Sequence, residues 1–152
     1  MAASASPRPT STLTFVVGPD QARFVATVVR FVDAFNAEDV AGAAALLTDD
    51  IIGGDCDYGR REYIPFRGKE EAATWLRGRA ADHERLQISE IVNANPDPIT
   101  GSRVVAVSWL SRTSAVLTPP MGPHGAAKVV FSRDGSAIRV FANANPPCDP
   151  SK

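Results

Sequence analysis

The chain has 152 residues, enough for one domain that buries about 68–70% of its unfolded surface without staples. Its formal net charge of −1 excludes any general attraction to nucleic acid or to an anionic membrane. Its two cysteines, Cys56 and Cys148, sit in unlike settings without Cys-x-x-Cys or histidine spacing, and read as free thiols in a reducing compartment.

Residues 1–12 are rich in Ala, Ser and Pro, with Arg8 the one charged side chain, and read as a disordered leader. The apolar run that follows, Phe15-Val16-Val17, is too short for a signal-peptide core or a membrane span, so cytoplasmic residence is expected. A short strand over 13–17 gives way to Gly18-Pro19-Asp20, where Asp20 can cap a helix. That helix runs to about Phe35, with Phe24, Val28, Phe31, Val32 and Phe35 on one stripe at the 3.6 period. Asn36-Ala37-Glu38-Asp39 breaks it, and Asp39 can cap a second helix whose apolar set is Val40, Ala43, Ala44 and Leu47.

Thr48-Asp49-Asp50 ends the second helix, and Ile51-Ile52 reads as a short strand running into Gly53-Gly54. Residues 53–67 combine glycines, Asp55, Cys56, Asp57, Tyr58, two arginines and Tyr63, the composition of a loop bordering a site. A third helix starts after Gly68, with Glu70 and Glu71 complementing its dipole and Ala72, Trp75 and Leu76 on one face, and ends near Ala81.

Everything downstream reads as strand: 86–92, 103–117, and a hairpin of 128–132 and 137–142 turning at Asp134-Gly135. Helices first and strands after imply α+β with an antiparallel sheet. The segment 118–125 is too proline-rich to pair, and its His124 reads as a solvated loop histidine. Asn-Ala-Asn-Pro occurs at 93–96 and at 143–146, each time as a strand-ending turn. The domain is expected over 13–145, with 146–152 a proline-rich flexible tail.

The residues Arg30-Phe31-Val32-Asp33-Ala34-Phe35-Asn36-Ala37-Glu38-Asp39, then Leu46-Leu47-Thr48-Asp49-Asp50, then Phe66-Arg67-Gly68-Lys69-Glu70-Glu71-Ala72 resemble the opening half of the nuclear-transport-factor-2-like superfamily. That group includes the SnoaL-like polyketide cyclases and ketosteroid isomerase, and the order of elements keeps the resemblance over about residues 20–145. It implies a cone-shaped fold: N-terminal helices on a strongly curved antiparallel sheet, enclosing an apolar pocket, with homodimerisation through the sheet face.

The resemblance places the isomerase's proton-shuttling aspartate on Asp55. The isomerase's oxyanion tyrosine falls on Phe31, which has no hydroxyl and is expected as a ligand-contacting residue on the helical wall of the pocket, and its second donor falls near Ala127 or Lys128. Losing one such donor costs about 10²–10³ in rate, so a steroid isomerase of that mechanism is not expected.

Asp55 is the first candidate for acid/base work, with burial raising its pKa, and Asp57 is its neighbouring alternative. His83, close to where some SnoaL-like relatives place a pocket histidine, is the second, although a histidine favoured by the helix dipole serves the position equally well. Tyr58 and Tyr63 are potential donors to a ligand carbonyl or packing groups, Trp75 and Trp109 core or pocket wall, and Asn143 a polar contact. Arg103 and Arg112 differ in strand parity and face opposite sides of the sheet.

Asp55, Asp57 and His83 lack metal-ligand spacing, so neither metal nor cofactor is expected. The functions that follow are a cofactor-independent isomerase, cyclase, dehydratase or hydrolase acting on a small apolar carbonyl or hydroxyl compound, a non-catalytic binder of such a ligand, or a dimerisation module. No nucleic-acid or membrane partner is expected.

Overall fold

The structure is a computed structural model that describes residues 19–93, 104–117, 126–143 and Cys148. The expected leader, the strand over 13–17, Arg103, His124 and the rest of the tail lie outside the described residues.

Helix α1 spans Pro19–Asn36 and buries the predicted stripe of Phe24, Val28, Phe31, Val32 and Phe35. It starts at Pro19, so Asp20 is its second residue rather than its cap. Its last residue is tied to the sheet: Asn36 donates from Nδ2 to the Leu86 carbonyl and accepts the Leu86 N–H, each at 2.8 Å. Helix α2, Val40–Ala44, is capped as expected by Asp39, whose Oδ1 accepts the Gly42 N–H at 2.9 Å. It stops short of Leu47, which opens strand β1, Leu47–Asp57.

β1 pairs in antiparallel fashion with β2, Glu62–Arg67, so the stretch expected to be a loop is a hairpin. The glycines that suggested a loop serve close approach instead. A Cβ on Gly53 would run into the Phe141 carbonyl and the Phe66 ring, and one on Gly54 into the Tyr63 ring.

Helix α3, Lys69–Ala81, follows Gly68, whose φ of 86° suits only glycine comfortably, and buries Ala72, Trp75, Leu76 and Arg79. Strands β3 (Arg85–Asn93), β4 (Val104–Thr113), β5 (Ala126–Phe131) and β6 (Ile138–Asn143) follow among the described residues. The predicted hairpin turn is present: Gly135 has a φ of 77°, and its carbonyl accepts from Thr27 Oγ1 of α1 at 2.7 Å.

The six strands run in the order β2-β1-β6-β5-β4-β3. The sheet is mixed rather than purely antiparallel, because β6 lies parallel to β1, with Gly53 opposite Phe141 and Gly54 opposite Ala142. Hairpin connections dictate antiparallel pairing only between successive strands; β6 returns beside β1 after a helix and four other strands, so its direction is free of that constraint.

The helices pack on one face of the curved sheet over a single main core. At its centre Trp75 stacks on Phe66 at 4.6 Å between ring centroids and meets Phe141 at 5.4 Å and Phe31 at 6.3 Å. No described helix is long and apolar enough to cross a membrane.

Cys56 and Cys148 are joined in a disulfide, which overturns the reading of two free thiols. Their separation of 92 residues hid the pairing. The parallel alignment of β1 with β6 sets Gly54 beside Ala142, which brings the chain within a few residues of both cysteines. A smaller apolar cluster of Cys56, Tyr58, Leu117 and Cys148 surrounds the bond.

Candidate functional site

Where β1, α3, β4 and β6 converge, four ionisable side chains are buried together: Asp55, Arg79, Glu84 and Arg112. Each reaches the cluster for a local reason. Asp55 shares the helix-facing side of β1 with Ile51 by the two-residue alternation. Arg79 lies in the last turn of α3.

Glu84 follows from the way that helix ends: the Glu84 N–H returns to the Arg79 carbonyl at 3.0 Å and the His83 N–H to the Ala80 carbonyl at 3.0 Å. With His83 at a φ of 53°, these are the two bonds of a Schellman ending, and they turn Glu84 inward beside Arg79. Arg112, near the end of β4 opposite Leu86, projects into the same space.

Arg112 bridges the two acids. Its Nη1 and Nη2 donate to Asp55 Oδ1 and Oδ2 at 2.8 and 2.7 Å, and its Nε donates to Glu84 Oε1 at 2.8 Å. The guanidinium also lies 5.0 Å from the centroid of the Tyr58 ring. Arg79 takes the other Glu84 oxygen through Nη1, which also donates to the Cys56 carbonyl at 3.1 Å, while Nη2 pairs with Asp57 at 3.1 Å and Asp82 at 3.5 Å.

Asp55 accepts three further bonds: from Trp75 Nε1 at 3.1 Å, Asn143 Nδ2 at 2.9 Å and the Cys56 N–H at 2.8 Å. Tyr58 is hydrogen-bonded in turn to Asn143.

These surroundings push the two carboxyls apart. Burial favours neutral Asp55, but the Arg112 charge and the hydrogen bonds from Arg112, Asn143 and Cys56 outweigh it and hold the pKa below the ordinary value. This corrects the expectation that burial would raise it. Glu84 goes the other way: burial raises its pKa, Arg112 and Arg79 oppose this, and the neighbouring Asp55 charge reinforces it. As pH falls, Glu84 takes a proton first. Burial alone would lower the Arg112 pKa; Asp55 and Glu84 override that and keep it charged.

The structure sorts the sequence candidates. Asp55, Tyr58, Trp75 and Asn143 come together at this centre. Asp55 is 2% exposed, buried in the interior rather than set at a pocket rim, and the space beside it holds the rings of Trp75, Phe66, Phe31 and Phe141. Phe31 is part of that aromatic packing.

His83 is not at the centre. Its side chain is 66% exposed, with Nδ1 2.9 Å from Glu38 Oε2, the oxygen that Arg85 also holds. Its backbone duty is to take the left-handed conformation that ends α3. Tyr63 lies over Gly54 and is 42% exposed. Trp109 is placed in β4 opposite Ile88. Of the two arginines of opposite parity, Arg112 is buried, and Arg103 lies outside the described residues.

The sequence alone does not mark Glu84 and Arg79 as buried site residues. The available signal was a dense charged stretch at the end of a helix, which reads as solvated surface unless the inward turn at His83 is known. No group of three potential metal ligands occurs among the described residues, and the His83 ring is paired with Glu38.

A SnoaL-like domain family matches residues 28–143, and the chain belongs to it. No curated protein matches the sequence significantly. Solved structures share the fold at low identity. A protein of unknown function with a cystatin-like fold from Methylobium petroleophilum aligns with a TM-score of 0.63 at 19% identity, over 83% of this chain and 78% of the other. A Mycobacterium tuberculosis protein in complex with estradiol-17beta-hemisuccinate gives 0.61 at 16%, over 82% and 94%. The epoxide hydrolase/cyclase-like enzyme SalBIII, from pyran ring formation in polyether salinomycin, gives 0.62 at 13%, over 82% and 91%.

Proposed function

We propose that this SnoaL-like protein binds a small apolar oxygenated molecule and performs cofactor-free acid/base chemistry at a carbon–oxygen bond, in the manner of a hydrolase or cyclase. The observation that carries this is a buried guanidinium held between two carboxyls whose proton affinities are driven in opposite directions.

Asp55, with its pKa lowered, is a poor base toward a carbon acid, which speaks against the isomerase chemistry implied by resemblance. An ionised Asp55 suits instead the charge-bearing half of a pair that anchors Arg112, and the proton of an attacking hydroxyl goes to the Glu84 carboxylate left once Glu84 has given up its own. Glu84, the carboxyl that protonates first, suits the acid that delivers a proton to the departing oxygen. Tyr58 and Asn143, the hydrogen-bonded polar pair that continues the Asp55 network toward the Cys56–Cys148 cluster, would have to part to admit a ligand oxygen there. The ligand-bound M. tuberculosis protein and SalBIII lend support by fold analogy only.

A second reading, ligand binding without turnover, is favoured by one observation: each of the Arg112 nitrogens already has an acceptor within the protein. Incubating wild type and Glu84→Gln with a panel of small epoxides and hydroxy ketones, and reading products by mass spectrometry, separates the two. Product formation by wild type and its loss in Glu84→Gln is the expected result. A fully active Glu84→Gln refutes the assignment, and bound but unaltered ligand selects the second reading.

Two further expectations belong here. The face of β1 and β2 turned away from the helices exposes Ile52 at 40% and Tyr63 at 42%, and supports self-association through the sheet. The disulfide moves the expected residence from the cytoplasm to an oxidising compartment.

A further inference from the structure

Each oxygen of Glu84 is claimed by a different guanidinium: Oε1 by Arg112, Oε2 by Arg79. The two arginines are not equivalent. Arg112 is engaged inward, with Asp55 as its main partner. Arg79 faces outward, and its second nitrogen is shared by Asp57 and Asp82, whose side chains are 16% and 26% exposed. An ordered series therefore runs from partly wet acids, through Arg79, to Glu84, Arg112 and Asp55.

We propose that Arg79 is a positioning residue that decides how firmly Glu84 holds its proton, and that Asp57 and Asp82 tune it by competing for the same guanidinium. The inference rests on Glu84 being the proton-exchanging group of the proposed reaction.

The physical argument is one of sharing. A guanidinium that serves three carboxylates gives each less stabilisation than it would give one, because its field and its N–H groups are divided. Arg79 is 4% exposed, so solvent screens its interaction with Glu84 little. Asp57 cannot simply swing away, since its other oxygen accepts the Arg60 N–H at 3.1 Å in the β1–β2 turn. Asp82, at the C-terminal end of α3, is placed where a negative charge is disfavoured by the helix dipole and gains most from a cation.

The charged and titratable groups facing Glu84 are Arg79 from α3, Arg112 from β4, Asp55 from β1 and Tyr58 from the following turn. Arg85 touches only its backbone carbonyl and otherwise joins the surface set of Glu38 and His83. Arg79 is thus the route by which charges near the surface reach the acid.

The test is the titration of the Glu84 side-chain carboxyl, followed by carbon-13 NMR on the full oxidised chain, in wild type, Arg79→Gln, Arg79→Lys, Asp82→Asn and the Arg79→Gln/Asp82→Asn double variant. Arg79→Gln should raise the Glu84 midpoint by about one pH unit or more, the usual effect of losing a cation at contact distance. Arg79→Lys should restore most of that shift. Asp82→Asn should lower the midpoint, and that lowering should shrink in the Arg79→Gln background, where the shared guanidinium is gone.

Should Arg79→Gln fail to fold, Arg79→Lys and Asp82→Asn decide the matter. An unmoved midpoint in Asp82→Asn, or one that moves equally with and without Arg79, overturns the proposal. The readout needs no substrate, so an active Glu84→Gln would defeat the proposed function while leaving this titration result standing.

Discussion

Arg112 and Asp55, 57 positions apart in sequence, meet in a fork-to-fork pair at 2.8 and 2.7 Å with both side chains only 3% exposed. The pair joins β4 to β1, strands separated in the sheet by β5 and β6, so it ties together two strands that share no backbone hydrogen bonds. A bidentate geometry of this kind is specific to arginine.

Replacing Arg112 by Met leaves Asp55 and Glu84 buried without the cation they share. Destabilisation of about 3–5 kcal/mol is expected, the usual consequence of removing one partner of a buried ion pair. Arg112→Lys should recover only part of it, because one ammonium cannot serve both carboxylates with the same bonds. Urea unfolding monitored by tryptophan fluorescence measures both.

Acid unfolding should carry the signature of Asp55. Its folded pKa lies below the unfolded value of about 3.9, so the unfolded state binds the proton more readily. The stabilisation it brings is fully present above that unfolded value and is lost as pH falls through the folded pKa. Glu84 has the opposite sign: its folded pKa is raised, so protonation as pH falls toward about 4.3 adds stability rather than removing it. Asp55→Asn should therefore be less stable than wild type near neutrality yet lose less stability below about pH 4, as seen in urea midpoints collected across that range.

Breaking the Cys56–Cys148 bond, by a reducing agent or by Cys148→Ser, should lower stability by about 2–5 kcal/mol, as expected for a crosslink closing a long loop. Thiol titration under denaturing conditions should find no free thiol in protein prepared without reductant. Two reactive thiols in such protein would return the chain to the reducing-compartment reading.

His83→Gly should leave the fold intact and alter stability by no more than about 1 kcal/mol in either direction. Glycine relieves the strain of a left-handed residue, while loss of the exposed contact to Glu38 takes little away. Turnover, where found, should be unaffected; a large loss of activity would restore His83 to the catalytic group.

Much of the fold was legible because its signals are local. The apolar stripe from Phe24 to Phe35, the Asp39 cap, the acidic first turn of α3 and the Asp134-Gly135 turn all appear in the structure as read. Beyond Ile52 the sequence of β1 reads as a loop, because Gly-Gly-Asp-Cys-Asp has a loop's composition. Its glycines mark the nearness of Phe141 and Tyr63, residues brought alongside only by pairing.

The site was half legible. Asp55, Tyr58, Trp75 and Asn143 stand out in the sequence and do assemble, whereas Arg79 and Glu84 do not, since charges at a helix end normally face water and only the turn at His83 brings them in. The disulfide depends on β6 lying beside β1, a pairing with no local trace.

The most direct test of the account is to titrate the Asp55 and Glu84 carboxyl carbons of the wild-type oxidised chain by carbon-13 NMR. The account predicts two separated midpoints, Glu84 above the ordinary glutamate value and Asp55 below the ordinary aspartate value. Midpoints at ordinary solution values for both would contradict it, since two carboxyls free of each other and of Arg112 cannot act as a divided acid/base pair.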